Sequence, residues 1–298
     1  MRQKFFAHDL PVFHRINTDL GHFSSLLGLF LGHIGVVLHH KSIMTSTEFS
    51  RVVIAATAAF LAGGINSVAG GGTLLSFPAL VWLGLPPVTA NATSTVAIWP
   101  GSLGSIWGFR SEFGQVAPRL KWLSISSLIG GGVGAILLRS TPAALFERLV
   151  PFLILFATTL FIAEGPIQKK LRERSGTNGI GMAAALILTL FVAIYGGYFG
   201  AGMSIMMLSS LSFVGMTDIL QRNALTSLFA LCVNGVAAIL FISLGMVDWH
   251  YVLPMAIAAV VGGYGAAGLA RRVGRVVVRR FVIIVGLAVS LILFVRLF

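Results

Sequence analysis

Charge is the scarcest property of this chain. Only 10% of its 298 residues are charged and 56% are hydrophobic, where a soluble domain carries roughly 25% charged residues. With a mean hydropathy of +0.93, the sequence cannot supply a water-facing surface, which leaves an integral membrane protein. Acidic residues are the rarer sign, nine Asp and Glu against 21 Lys and Arg. They are Asp9, Asp19, Glu48, Glu112, Glu147, Glu164, Glu173, Asp218 and Asp248, all in the N-terminal part, in loops or near the ends of apolar runs. A mid-membrane proton relay therefore lacks its usual carboxylates, and a buried cation site lacks its ligand.

Cysteine is nearly absent. Cys232, the one cysteine, lies in an apolar run, cannot form an internal disulfide and reads as core packing. Six of the seven histidines fall in the first forty residues. No His, Cys or carboxylate cluster has metal-ligand spacing, so neither a metal nor another cofactor is expected. The apolar body also shows no nucleophile paired with a base, which argues against an enzyme. The net charge of +12 comes from short basic clusters between apolar runs. Such clusters fix membrane orientation, and no nucleic-acid module accompanies them.

Long apolar runs are what the chain has in abundance. From Arg51 they cover about 52–67, 73–85, 90–109, 120–138 and 148–163, then, after a basic segment, about 180–196, 202–215, 223–245, 252–270 and 279–297. The chain thus divides into an N-terminal extension (1–45), membrane repeat 1 (46–164), a basic linker (165–178) with Lys169, Lys170, Arg172 and Arg174, and membrane repeat 2 (179–298). In the extension, residues 23–38 read as a short extra span or an interfacial helix. Met44, opening MTSTEFSRVVIAATAAF, is an alternative start.

The two halves also correspond in their letters. FLAGGINSVAGGGTLLSFP matches FVAIYGGYFGAGMSIMMLS, setting Gly70-Gly71-Gly72 on Gly200-Ala201-Gly202. Further along, Asn91-Ala92 falls on Asn223-Ala224, Gly130-Gly131 on Gly262-Gly263 and Arg139 on Arg271. Duplication of this kind is a feature of transporter folds. The linker and the loop with Arg271, Arg272, Arg275, Arg279 and Arg280 should be cytoplasmic, and the loop with Asp248 outside. That leaves runs 180–196 and 202–215 to leave the cytoplasmic side and return, as a re-entrant hairpin or as two short spans. Applied to the first half, the same logic starts it outside, with Arg139 and Arg148 outside against the rule. The fold class expected is therefore all-α, a polytopic membrane protein of two inverted repeats with glycine-broken helix hairpins.

The breaks carry the functional reading. Interrupted helix is tolerated in hydrocarbon only where it is buried or lines a watery cavity. A helix restarting there presents unbonded amides and a partial positive charge, a small anion site. Glycines let the anion approach the backbone, and hydroxyl and amide side chains complete its coordination. The candidate substrate-binding residues are Asn66, Gly70, Gly71, Gly72, Thr73 and Ser76 at the first break and Gly200, Gly202 and Ser204 at the second. The following runs add Asn91, Thr93 and Ser94, and Asn223, Thr226 and Ser227. Each has a plainer reading, since Ser and Thr in membrane helices commonly bond back to the preceding turn. Gly130, Gly131, Gly132 and Gly134 read as close helix packing. Trp99, Trp107, Trp122 and Trp249 read as interfacial or packing aromatics.

The stretch AGGINSVAGGGTLLSFPAL with TANATSTVAIWPGSLGSIWGFR, and GGYFGAGMSIMM with RNALTSLFALCVNGVAAILF, resembles the TauE/SafE sulfite exporter family of bacterial membrane transporters. The resemblance covers roughly residues 50–298. It implies a multi-pass permease of the cytoplasmic (inner) membrane that moves sulfur-containing anions such as sulfite or organosulfonates. The second break has Ala201 and Met203 where the first has Gly71 and Thr73, which favours the first half for coordination. The partners implied are a small anionic substrate and the lipid bilayer, without nucleic acid; a homo-oligomer is left open. An interior-negative membrane drives each negative charge outward with about 2.3 kcal/mol per 100 mV, so alternating access alone suffices for export. The other readings are a transporter of another small metabolite, and a non-transporting membrane assembly or sensor protein. Gly71→Leu is expected to abolish transport in reconstituted vesicles while membrane insertion is retained; wild-type rates would remove the site from this break.

Overall fold

A computed structural model describes residues 46–68, 70–108, 122–173, 181–216, 218–273 and 275–297. The N-terminal extension, with its apolar run and Met44, lies outside the described residues. Ten α-helices and no strand occur among the described residues. They are α1 (Ser46–Val68), α2 (Thr73–Trp82), α3 (Pro87–Gly108), α4 (Trp122–Ser140), α5 (Ala143–Glu173), α6 (Met182–Tyr198), α7 (Met203–Phe213), α8 (Ile219–Ser243), α9 (Trp249–Val273) and α10 (Arg275–Leu297). The apolar runs each become one helix because hydrocarbon forces every backbone group to bond within its own segment.

Five helices, α1, α4, α5, α8 and α10, contain stretches long and apolar enough to cross a membrane. Much of their surface is apolar and uncovered: Ile129 of α4 is 56% exposed and Val295 of α10 73%. Such side chains are stable only against lipid.

Helix boundaries follow local chemistry. Pro87 opens α3, where its missing N–H and fixed φ are harmless. Asp218 caps α8, its carboxylate accepting from the amides of Leu220 at 2.7 Å and Gln221 at 3.4 Å. Helix α5 continues into the basic segment as far as Glu173, so the first part of the expected linker is helical. Within α5, Pro166 has no N–H for the carbonyl of Ile162. Arg279 of α10 takes that role, donating to Ile162 O at 3.1 Å and Phe161 O at 2.9 Å.

The packing crosses between the two halves. Helix α4 packs on α6 and α8, and α9 packs on α1 and α3. Exchanging each helix for the one five places later turns the first set of contacts into the second. Helices α3 and α8 cross each other, as do α5 and α10. At the first crossing the Trp99 indole donates to the carbonyl of Leu231 at 3.2 Å, 132 residues away. That is the separation of Asn91 from Asn223 and of Gly130 from Gly262, so the bond joins equivalent positions.

Glycine makes the crossed contacts close. A Cβ on Gly130 would lie 2.7 Å from the carbonyl oxygen of Leu190, and one on Gly262 would lie 2.0 Å from that of Phe60. Gly134 meets Ile194 O at 2.1 Å in the same way, whereas Gly132 meets only side-chain tips, Val236 at 3.4 Å and Leu240 at 3.9 Å. Backbone cannot yield as a side-chain tip can. Gly130→Ala and Gly262→Ala should each cost about 1–3 kcal/mol of stability, read as a lower thermal midpoint of the detergent-purified protein. Gly132→Ala should stay within about 0.5 kcal/mol of the parent. An unshifted midpoint for Gly262→Ala would contradict this packing.

Candidate functional site

Both predicted breaks are present. Between α1 and α2, Gly70 and Gly71 have φ of +69° and +92°; between α6 and α7, Gly200 and Gly202 have +80° and +77°. Only glycine adopts this region without strain, so the sequence itself stops each helix. Helices α2 and α7 are 10 and 11 residues long, roughly 15 Å each, about half of a 30 Å hydrocarbon core.

The first break is extensively bonded. The side-chain oxygen of Asn66 accepts from the Gly72 amide at 2.7 Å. Ser76 and Ser94 share a hydrogen bond of 2.6 Å between their hydroxyls, and Ser76 also reaches Gly72 O at 3.3 Å. At the second break the Tyr195 hydroxyl donates to Ala201 O at 2.7 Å, and the Asn91 amide donates to Tyr198 O at 3.0 Å. Helix α3 therefore holds both breaks, Ser94 toward α2 and Asn91 toward the end of α6.

The breaks also touch each other. A Cβ on Gly70 would sit 3.1 Å from the Ser204 hydroxyl oxygen. Phe77 of α2 meets Phe199 edge-on, ring centroids 5.4 Å apart, and Phe146 stacks edge-on against both Tyr198 and Phe199.

The free faces of the glycines differ. Gly71 lies against the Phe161 ring, where a Cβ would be 2.1 Å from Cζ, and Gly72 against Ala62 O at 2.3 Å. Those glycines admit protein at the positions where an approaching anion was expected. A Gly71→Leu variant would therefore clash with Phe161 whatever the substrate does. The nearest atom to a Cβ on Gly200 is at 3.3 Å, with the Asn234 side-chain oxygen at 4.0 Å, and Gly202 has nothing nearer than 3.4 Å. Among the described residues, the amides of Ala201, Gly202 and Ser204 have no hydrogen-bond acceptor, and neither have those of Gly70, Gly71 and Thr73 at the first break.

The remaining predicted residues are dispersed. Thr73 is buried. Thr93 accepts from the Asp248 amide at 3.0 Å and so fixes the start of α9. Asn91 Oδ1 and Thr226 Oγ1 are buried without a partner. Among the described residues, no hydrogen bond joins Asn223, Thr226 or Ser227 to either break. Two polar residues escaped the sequence reading. Asn234 stands beside Gly200, and its signal was a lone amide in an otherwise apolar run. Arg222, 5% exposed, donates to Ser212 Oγ at the far end of α7; its signal was a lone charge directly before Asn223. Among the described residues no three His, Cys, Asp or Glu side chains are grouped to hold a metal ion.

Glycine-broken half-length helices held inside a bundle of apolar spans define a multi-pass helical membrane transporter. Residues 55–293 match the family model described as "Sulfite exporter TauE/SafE", and the chain belongs to that family. It is 26% identical over 226 residues to a probable membrane transporter protein of Haemophilus influenzae, covering 76% of this chain and 87% of that one. It is 27% identical over 250 residues to probable membrane transporter protein ORF9 of a Sinorhizobium species, covering 83% and 94%. It is also 27% identical over 234 residues to probable membrane transporter protein YfcA of Escherichia coli K12, covering 78% and 85%. No solved structure matches the chain.

The bond from Gly72 to Asn66 is testable alone. A lost cap costs about 1 kcal/mol, so Asn66→Ala should speed hydrogen exchange across residues 70–76 about fivefold, while Asn66→Asp, which keeps the acceptor, should not. Equal exchange in the parent and Asn66→Ala would show that this cap does not hold the break.

Proposed function

We propose that the protein carries a small sulfur oxoanion, sulfite or an organosulfonate, outward across the bacterial cytoplasmic membrane. In this reading its two halves are inverted repeats, its two hairpins are re-entrant, and access alternates around the point where the breaks meet. The observation that carries the reading is the contact of Gly70 with Ser204, which brings two helix restarts to one place. Family membership supports the substrate class, and the exchange of helix contacts between halves supports the inverted repeat.

Within that site the second break is the better ligand. Both breaks keep three unbonded amides among the described residues, but only the second leaves its glycine faces open, with Asn234 beside Gly200 and Ser204 in the restarting helix. Asn66, Ser76, Ser94 and Thr93 already bond within the protein. The weight therefore moves from the first half, favoured by its fuller glycine run, to the second. No basic side chain is required, because a helix restart supplies the positive end of its dipole.

Proteoliposomes loaded in turn with sulfite, thiosulfate, sulfoacetate or taurine test the reading. Efflux of at least one anion should follow an imposed voltage without a pH gradient. Hydrogen bonds to a charged partner contribute about 1.5–3 kcal/mol, so Ser204→Ala and Asn234→Leu should each weaken apparent affinity by roughly tenfold or more. Efflux that ignores voltage and tracks pH would overturn unassisted export. Unchanged affinity in both variants would remove the second break from the site.

A further inference from the structure

We propose that the groove between α2 and α10 is a phospholipid site, with the headgroup phosphate on Arg296 and an acyl chain in the cleft below it. The cleft encloses about 270 Å³ and is lined by Leu75, Pro78 and Trp82 of α2 and by Val289, Leu293 and Arg296 of α10, among others. It exists because α2 is a half-length helix beside the least covered span. Only 17% of the apolar window of α10 is buried, against 39–44% for the other four spans.

The polarity of the groove is ordered along its length. Gly71, just before α2, packs on the Phe161 ring, and the Phe161 carbonyl is held by Arg279 in the first turns of α10. Helices α2 and α10 therefore run the same way, with Trp82 and Arg296 closing one end. Arg296 ends the apolar span 277–296, which puts that end at the headgroup level, where tryptophan is also favoured. From Arg296 down to Val285, the deepest lining residue of α10, is about 16 Å of helix, close to one leaflet of a 30 Å core. A cationic rim over a leaflet-deep apolar trough is the complement of a phosphate over an acyl chain.

The groove belongs to one half only. The equivalent seam, α5 against α7, is filled, with Ile154, Ala157, Ile205 and Leu208 all buried. A second copy of the chain would not need a basic rim at headgroup depth, whereas a phosphate does. Leu75 lies three residues beyond Gly72, so a chain in the trough would bear on the first break.

Native mass spectrometry of the full chain, incubated with phosphatidylglycerol and phosphatidylcholine and then delipidated in detergent, tests the site. The parent should retain phosphatidylglycerol preferentially. Arg296→Gln should lose about fivefold of that preference, and Val289→Trp, which fills the trough, should lose the adduct. Arg280→Gln removes an equal charge at the other end of α10 and should change nothing. Equal effects of Arg296→Gln and Arg280→Gln would reduce Arg296 to a general anchor and overturn the proposal. So would a lipid adduct that survives Val289→Trp, or a parent that runs as a lipid-free dimer which Val289→Trp dissociates.

Discussion

A peptide group left unbonded in hydrocarbon costs several kcal/mol, and this one constraint organises the molecule. At each interruption side chains supply some of the missing bonds. Asn66 takes the Gly72 amide, Tyr195 takes the Ala201 carbonyl and Asn91 takes that of Tyr198. Arg279 does the same for α5, where a proline has removed a donor. The amides that stay unbonded then stand out. Among the described residues they remain at both breaks, Gly70, Gly71 and Thr73 at the first and Ala201, Gly202 and Ser204 at the second. Phe161 and Ala62 close the glycine faces of the first, whereas those of the second are open.

The second organising force is close approach. Lipid tails are as apolar as leucine, so helices associate in a membrane by packing quality more than by hydrophobic exclusion. Glycines at 130, 134 and 262 bring the backbone of each half against the other. The halves thus depend on one another, since the fourth helix of each is packed by the first and third of its partner. The duplication is not perfect, and the departures have consequences. Met203, in place of the Thr73 of the first half, is buried and reaches Gly196. The first break is stitched by Asn66 and by Ser76 with Ser94, and the second is left looser around Gly200.

Much of the architecture was legible in the letters. The apolar runs matched the helices to within about six residues, except that α5 continues ten residues past its run. Both glycine clusters broke their helices, because hydrocarbon and φ are local constraints that act on each segment separately. The difference in capping was not legible. Asn91 looked like a ligand beside its own half's break and instead bonds the other half's. Thr93 sat in the same polar cluster and serves the loop before α9. Gly71 looked open and is closed by Phe161, ninety residues away.

Composition by itself determined that this chain lives in a membrane, that it is helical, and where its backbone must bend. It also left out the buried carboxylates that a proton or cation pathway uses. Only the tertiary structure decided that the two bends meet, which of their amides keep no partner, and that Asn234 and Ser204 stand beside them. The physical reason is one of range. Hydropathy and glycine act within a turn or two of helix, whereas the pairing of one helix with another depends on side chains far apart in the chain, and the apolar pattern records no partner.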